Sequence, residues 1–225
     1  MGVGRADGVA LVAALLLMLM MSALGVAFSL VSSSETLIAA NFRNAQAALY
    51  AADAAAERAV ADLGAFADWT PLVNGTARGT FVDGAPSGAR TLPDGTTIDL
   101  AQLVSLANCH KSTPCSSADM DSVTAERPWG ANNPRWQLFS YGRLRDVHPP
   151  ASLDSPFYIV VLVGDDGSET DGNPLHDSQS PAPGAGVIVL RAEAFGPRGV
   201  RRTMQATLAR TTVGRVRVLS WREWR

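Results

Sequence analysis

The 225-residue sequence predicts an α+β fold, a long N-terminal helix packed against an antiparallel sheet. Three observations carry this reading. No charged side chain stands between Asp7 and Glu35, and the intervening stretch is strongly apolar. Neither proline nor glycine interrupts residues 26–63, where apolar and polar positions recur at helical spacing. Beyond residue 134, β-branched runs at 157–163, 187–195 and 201–211 are separated by turn residues.

The first half of the helix is apolar on every side. Residues 9–31 supply enough length to cross the hydrocarbon core of a bilayer, which takes about 20 helical residues. Past Ser34 the pattern becomes one-sided. Ile38, Phe42, Ala45, Leu49, Ala52, Ala56, Ala59 and Leu63 step by three or four along one face. Asn41, Arg43, Asn44, Gln46, Asp53, Glu57, Arg58 and Asp62 occupy the other. Alanine dominates and is the best helix former, and Gly64 is a natural stop. Residues 9–63 therefore read as one helix, on the order of 80 Å long.

The head begins at residue 64. Turn signals fill residues 69–93, with a short strand expected at 78–82. Residues 98–107 read as a short helix started near Asp99, and 108–134 as loop. Strands are expected at 136–144, 157–163, 187–195, 201–211 and 213–219, with Gly196-Pro197-Arg198-Gly199 as a turn. Their sheet would lie against the alanine stripe of the helix.

Composition narrows the function classes. Apolar residues make up 47% and charged residues 18%, which excludes a disordered, solvating chain. A net charge of −2 gives no bulk attraction to nucleic acid. Lys111 is the only lysine and follows His110, so no phosphate-cradling G-K-[ST] loop exists. The three histidines are scattered and no G-x-S-x-G elbow occurs, so no enzyme is expected.

Two local features carry chemistry. Cys109 and Cys115 would pair as a disulfide in an exported chain; free thiols or a metal site with His110 are the alternatives. Residues 151–190 hold six acids and no lysine or arginine. Asp165, Asp166, Glu169, Asp171, Asn173 and Asp177 present oxygen ligands of the kind Ca²⁺ takes, although the spacing is not that of an EF-hand. A solvated hairpin loop is the competing reading. No other cofactor is indicated. Residues 191–225 have the opposite sign, nine arginines against Glu193 and Glu223, and read as the solvent face of strands, with nucleic-acid contact the weaker alternative.

Residues 8–17, Gly-Val-Ala-Leu-Val-Ala-Ala-Leu-Leu-Leu, resemble the class III signal of type IV pilins. The segment from Glu35 through Asn41, Arg43 and Ala51-Ala52-Asp53-Ala54 is similar to the N-terminal region of PilX-like minor pilins. The resemblance implies a pilin-like fold with a leader at 1–8, a transmembrane and filament-core half at 9–33, an amphipathic half at 34–63 and a head at 64–225. It implies cleavage by prepilin peptidase between Gly8 and Val9, methylation of Val9, and head placement outside the cytoplasm. Its implied partners are other major and minor pilins and the inner-membrane assembly platform. The protein would sit in the inner membrane and then in a pilus or secretion pseudopilus, aiding assembly, priming or tip adhesion. Ala13 stands where most pilins carry glutamate, which argues against a major subunit and allows a tip position. Two readings compete with the pilin: an anchored periplasmic or cell-surface binding domain outside any filament, and a secreted hydrolase cut near Val26 or Phe28.

Overall fold

The computed structural model describes residues 6–147, 155–169, 171–177, 186–211 and 214–224. The chain divides into two units, one ending at Arg43 and one starting at Asn44. Helix α1 spans Ala6–Leu63 and contributes to both. Most of the expected leader, residues 1–5, lies outside the described residues.

In the first unit, residues 8–39 of α1 are exposed throughout. The serine cluster is a place where a helix could break, because hydroxyls compete for backbone groups. Here they bond along the helix instead. Ser33 Oγ donates to the Ser29 carbonyl at 2.9 Å, Ser34 Oγ to Val31 at 2.8 Å, and Thr36 Oγ1 to Ser32 at 2.9 Å. Ser22 Oγ does the same with Met18 at 2.8 Å.

In the second unit the remainder of α1 is a core element. Ala48, Ala51, Ala52, Ala55, Ala56, Ala59 and Leu63 are buried. The helix stops at Leu63, but Gly64 does not adopt the positive φ of a glycine cap. The buried Trp69 indole donates to the Leu63 carbonyl at 3.2 Å, satisfying one of the open carbonyls of the last turn. A single turn, α2 (Thr70–Val73), follows. A small hairpin then pairs β1 (Ala89–Thr91) with β2 (Thr97–Asp99), over residues expected as turns and, from Ile98, as the start of a helix. It leads into α3 (Leu100–Cys109), two residues later than expected because Asp99 is the N-cap: its carboxylate accepts from Gln102 N at 2.8 Å. The stretch read as loop contains α4 (Ser117–Asp121), started by a capping box of Ser116 and Asp119.

The main sheet is an antiparallel meander of β3 (Gln137–Arg143), β4 (Tyr158–Asp165), β5 (Val187–Phe195), β6 (Arg201–Arg210) and β7 (Val216–Trp224), in that spatial order. One face, with Phe139, Ile159, Val161, Ile188, Leu190, Ala206 and Leu208, forms a core with the α1 alanines. The other face, with Tyr141, Tyr158, Val160 and Leu162, packs with Leu92, Leu100 and Trp136. Every residue of β4 is buried as a result, which explains its continuous apolar run in place of alternation.

Two expected strands differ. Residues 78–82 form no full strand; one parallel bridge joins Val82 to Tyr141, and Gly79 N donates to Phe139 O at 3.0 Å. The last strand was expected at 213–219. It runs on to Trp224 because Trp221 belongs to the head, its indole donating to Asp53 of α1 at 2.8 Å; Val213 lies outside the described residues.

Candidate functional site

Two regions have chemistry that packing alone does not use up. The first is the apolar half of α1. Gly8 and Val9 lie in its opening turns, and a Cβ added at Gly8 would meet nothing within 4 Å. Val9 is 71% exposed and Phe28 72%, with Leu11, Leu15, Leu19, Leu24 and Leu30 similarly open. An apolar surface this continuous marks a membrane or partner contact. The helix is long and apolar enough to cross a membrane. Because the serine hydroxyls bond within the helix, they can enter an apolar medium with their donors satisfied.

The second region is the connection leaving β4. Asp165 ends that strand, Glu169 follows in the next turn, and Asp177 precedes β5. Their relative exposures are 2%, 5% and 4%, and one carboxylate oxygen of each lies within 4.8 Å of the other two. Gly186 N donates to Asp177 Oδ1 at 2.6 Å, and Arg210 Nη2 stands 4.0 Å from Asp177 Oδ2. Burial first, and then the charge of Glu169, push the Asp165 carboxyl up to about 8. Burial likewise raises Asp177, against the lowering pull of the Gly186 N–H and of Arg210.

The other expected ligands are used differently. Asp166 accepts from Ser168 N at 3.2 Å and Ser168 Oγ at 2.8 Å. Asp171 accepts from Asn173 N at 2.9 Å, and Asn173 from Leu175 N at 3.4 Å. These are turn-forming bonds within the connection. The six-residue set from the sequence thus separates into three buried carboxylates brought together and three residues that shape the loop.

Cys109 and Cys115 form a disulfide, with Cα atoms 6.0 Å apart, that joins the end of α3 to the start of α4. His110, the C-cap of α3, lies 3.6 Å from Glu126. Four of the nine C-terminal arginines have these local partners: Arg191 and Arg201 flank the buried Glu193 at 2.7 and 2.5 Å, Arg202 meets Glu223 at 3.6 Å, and Arg222 lies over Trp224.

Sequence reading missed Asp62, assigned there to the polar face of α1. It is buried, accepts from Thr80 N at 2.9 Å and Arg58 Nε at 3.1 Å, and ties the 78–82 segment to the helix. Gly79 permits this approach, since an added Cβ would stand 3.0 Å from Asp62 Oδ2. The i,i+4 spacing of Arg58 and Asp62 was the available signal.

A long N-terminal apolar helix followed by a five-stranded antiparallel sheet is a pilin-like α+β architecture. Residues 7–57 match the family model described as PilX N-terminal, so the chain is PilX-like over this segment, which supports a type IV pilin. The match lies wholly within α1 and covers about a quarter of the chain. No curated protein and no solved structure matches the chain.

Proposed function

We propose that the protein is a minor pilin that enters a type IV pilus or related pseudopilus through the apolar half of α1, and that its head helps to start or cap the filament. The supporting observation is the contrast within α1. Residues 9–31 expose a mainly apolar surface on every side, whereas the stripe Ala48, Ala51, Ala52, Ala55, Ala56, Ala59 and Leu63 is committed to the head's own core. The PilX N-terminal match, residues 7–57, covers the exposed stretch and continues into the buried one.

The mechanism is an exchange of apolar surroundings. A helix leaving the bilayer for a bundle of similar helices keeps its side chains away from water, so the transfer carries no large hydrophobic cost. Association then depends on packing between helices and on small residues that permit close approach. Ala10, Ala13, Ala14, Ser22, Ala23, Gly25 and Ala27 supply such positions. Ala13 offers no carboxylate to a neighbouring subunit's amino terminus, which favours an end position over a repeated one. Prepilin peptidase would cut after Gly8, and the role is structural and not catalytic. The head would stand outside the cytoplasm, where its disulfide persists.

Filaments sheared from cells test this reading. The account expects the protein in the sheared fraction, far below the major subunit in amount. Recovery only with membranes, while filaments shear normally, would favour an anchored binding domain instead.

A further inference from the structure

We propose that Asp165, Glu169 and Asp177 bind a calcium ion that pins the connection between β4 and β5. Burial excludes the bland reading of a solvated acidic loop for these three residues, since all are more than nine-tenths enclosed. A buried carboxylate is costly unless it is paired, hydrogen-bonded or coordinated to a metal. Asp165 Oδ1 is enclosed and has no hydrogen-bond partner among the described residues. Asp177 Oδ2 also lacks one among the described residues, with Arg210 4.0 Å away at the outer limit of an ion pair. Bringing a third carboxylate, Glu169, to the same point adds repulsion that a cation would convert to attraction.

The donor set selects the ion. All three ligands are carboxylate oxygens, which suit a hard cation and give no preference to a softer transition metal. Three protein carboxylates at one point suit calcium, which takes six to eight oxygens at about 2.3–2.6 Å, better than magnesium, which usually keeps several waters and one or two carboxylates. The oxygens here lie within 4.8 Å of one another, close enough for one ion to reach all three. Calcium also accepts carbonyl and water oxygens in its remaining positions.

Position in the chain gives the ion a structural role. Its ligands come from the end of β4, the following turn and the residue run before β5, where Gly186 is already held by Asp177. Asp166, Asp171 and Asn173 set the turns between, and Gly172 N donates to Asn132 of the neighbouring loop at 2.7 Å. This inference is independent of whether the protein enters a filament.

The test uses the full-length chain in detergent, stripped with chelator and titrated with CaCl₂ by calorimetry. Saturable one-site heat is expected, together with a rise in melting temperature of about 5 °C at calcium well above its Kd. Magnesium should produce a much smaller shift. Asp165→Asn replaces a ligand with a neutral side chain of the same shape, so it should fold without metal and lose both the heat and the shift. If that variant does not fold, Glu169→Gln provides the same readout. No heat and no shift in the folded parent overturns the proposal, as does a calcium shift that survives in either variant. An equal response to magnesium overturns the assignment to calcium.

Discussion

The two halves of α1 are made from similar side chains and have opposite fates. Ala13 and Ala14 are exposed, as are the leucines around them, while Ala51 and Ala52 are buried on the sheet. Helix propensity does not distinguish them, since alanine favours helix in both places. The difference is in the opposite face. From Asn41 onward, polar residues leave one narrow stripe of small side chains, and a sheet face of Ile188, Leu190, Ala206 and Leu208 covers it. Before Glu35 no polar face exists, so one sheet could not cover the helix, and the apolar surface is left for a bilayer or other helices.

A charge placed in the first half should have the largest effect. Leu19→Arg, near the middle of the apolar stretch, should cost about 3 kcal/mol in membrane insertion. Membrane-fraction recovery should fall while the melting temperature of the head in detergent stays unchanged. A matched pair of enlargements sharpens the contrast. Ala52→Leu overpacks the helix–sheet core and should cost about 1–3 kcal/mol in denaturant unfolding, whereas Ala14→Leu should leave head stability unaltered. Equal effects at the two sites would remove the distinction.

Smaller effects test how the head is fastened. Replacing Cys109 and Cys115 with serine releases a short loop and should cost about 2 kcal/mol, read from unfolding with and without reductant. Asp99→Ala removes the α3 cap and should cost about 1 kcal/mol, seen as a lowered unfolding midpoint with unchanged slope.

Much of this arrangement was legible in the residues. The strand 187–195 was readable to its ends because a β-branched run is bounded by glycines, and both its faces are buried. The helix was legible because nothing interrupts residues 26–63. The three-residue strands of the β1–β2 hairpin were not, since Ala89-Arg90-Thr91 carries no alternation strong enough to separate strand from turn. The end of β7 was hidden for a different reason. Trp221 and Trp224 among arginines fit the solvent face of a strand, with a base-stacking surface the weaker alternative, and neither reading places the Trp221 indole on Asp53, distant in sequence. The acidic connection was legible as a charge cluster only. Which carboxylates turn inward depends on the fold around β4 and on Arg210, and local spacing does not encode it.

If the protein enters a filament, the apolar half of α1 is retained in the working molecule and presented from a processed N-terminus. Intact-mass measurement with N-terminal sequencing of protein purified from its native membrane or filament tests it most directly. The account predicts a chain beginning at methylated Val9, with residues 9–31 intact. A mature chain beginning near Val26 or Phe28 would contradict it, because the surface that distinguishes the two halves would be missing from the molecule that functions.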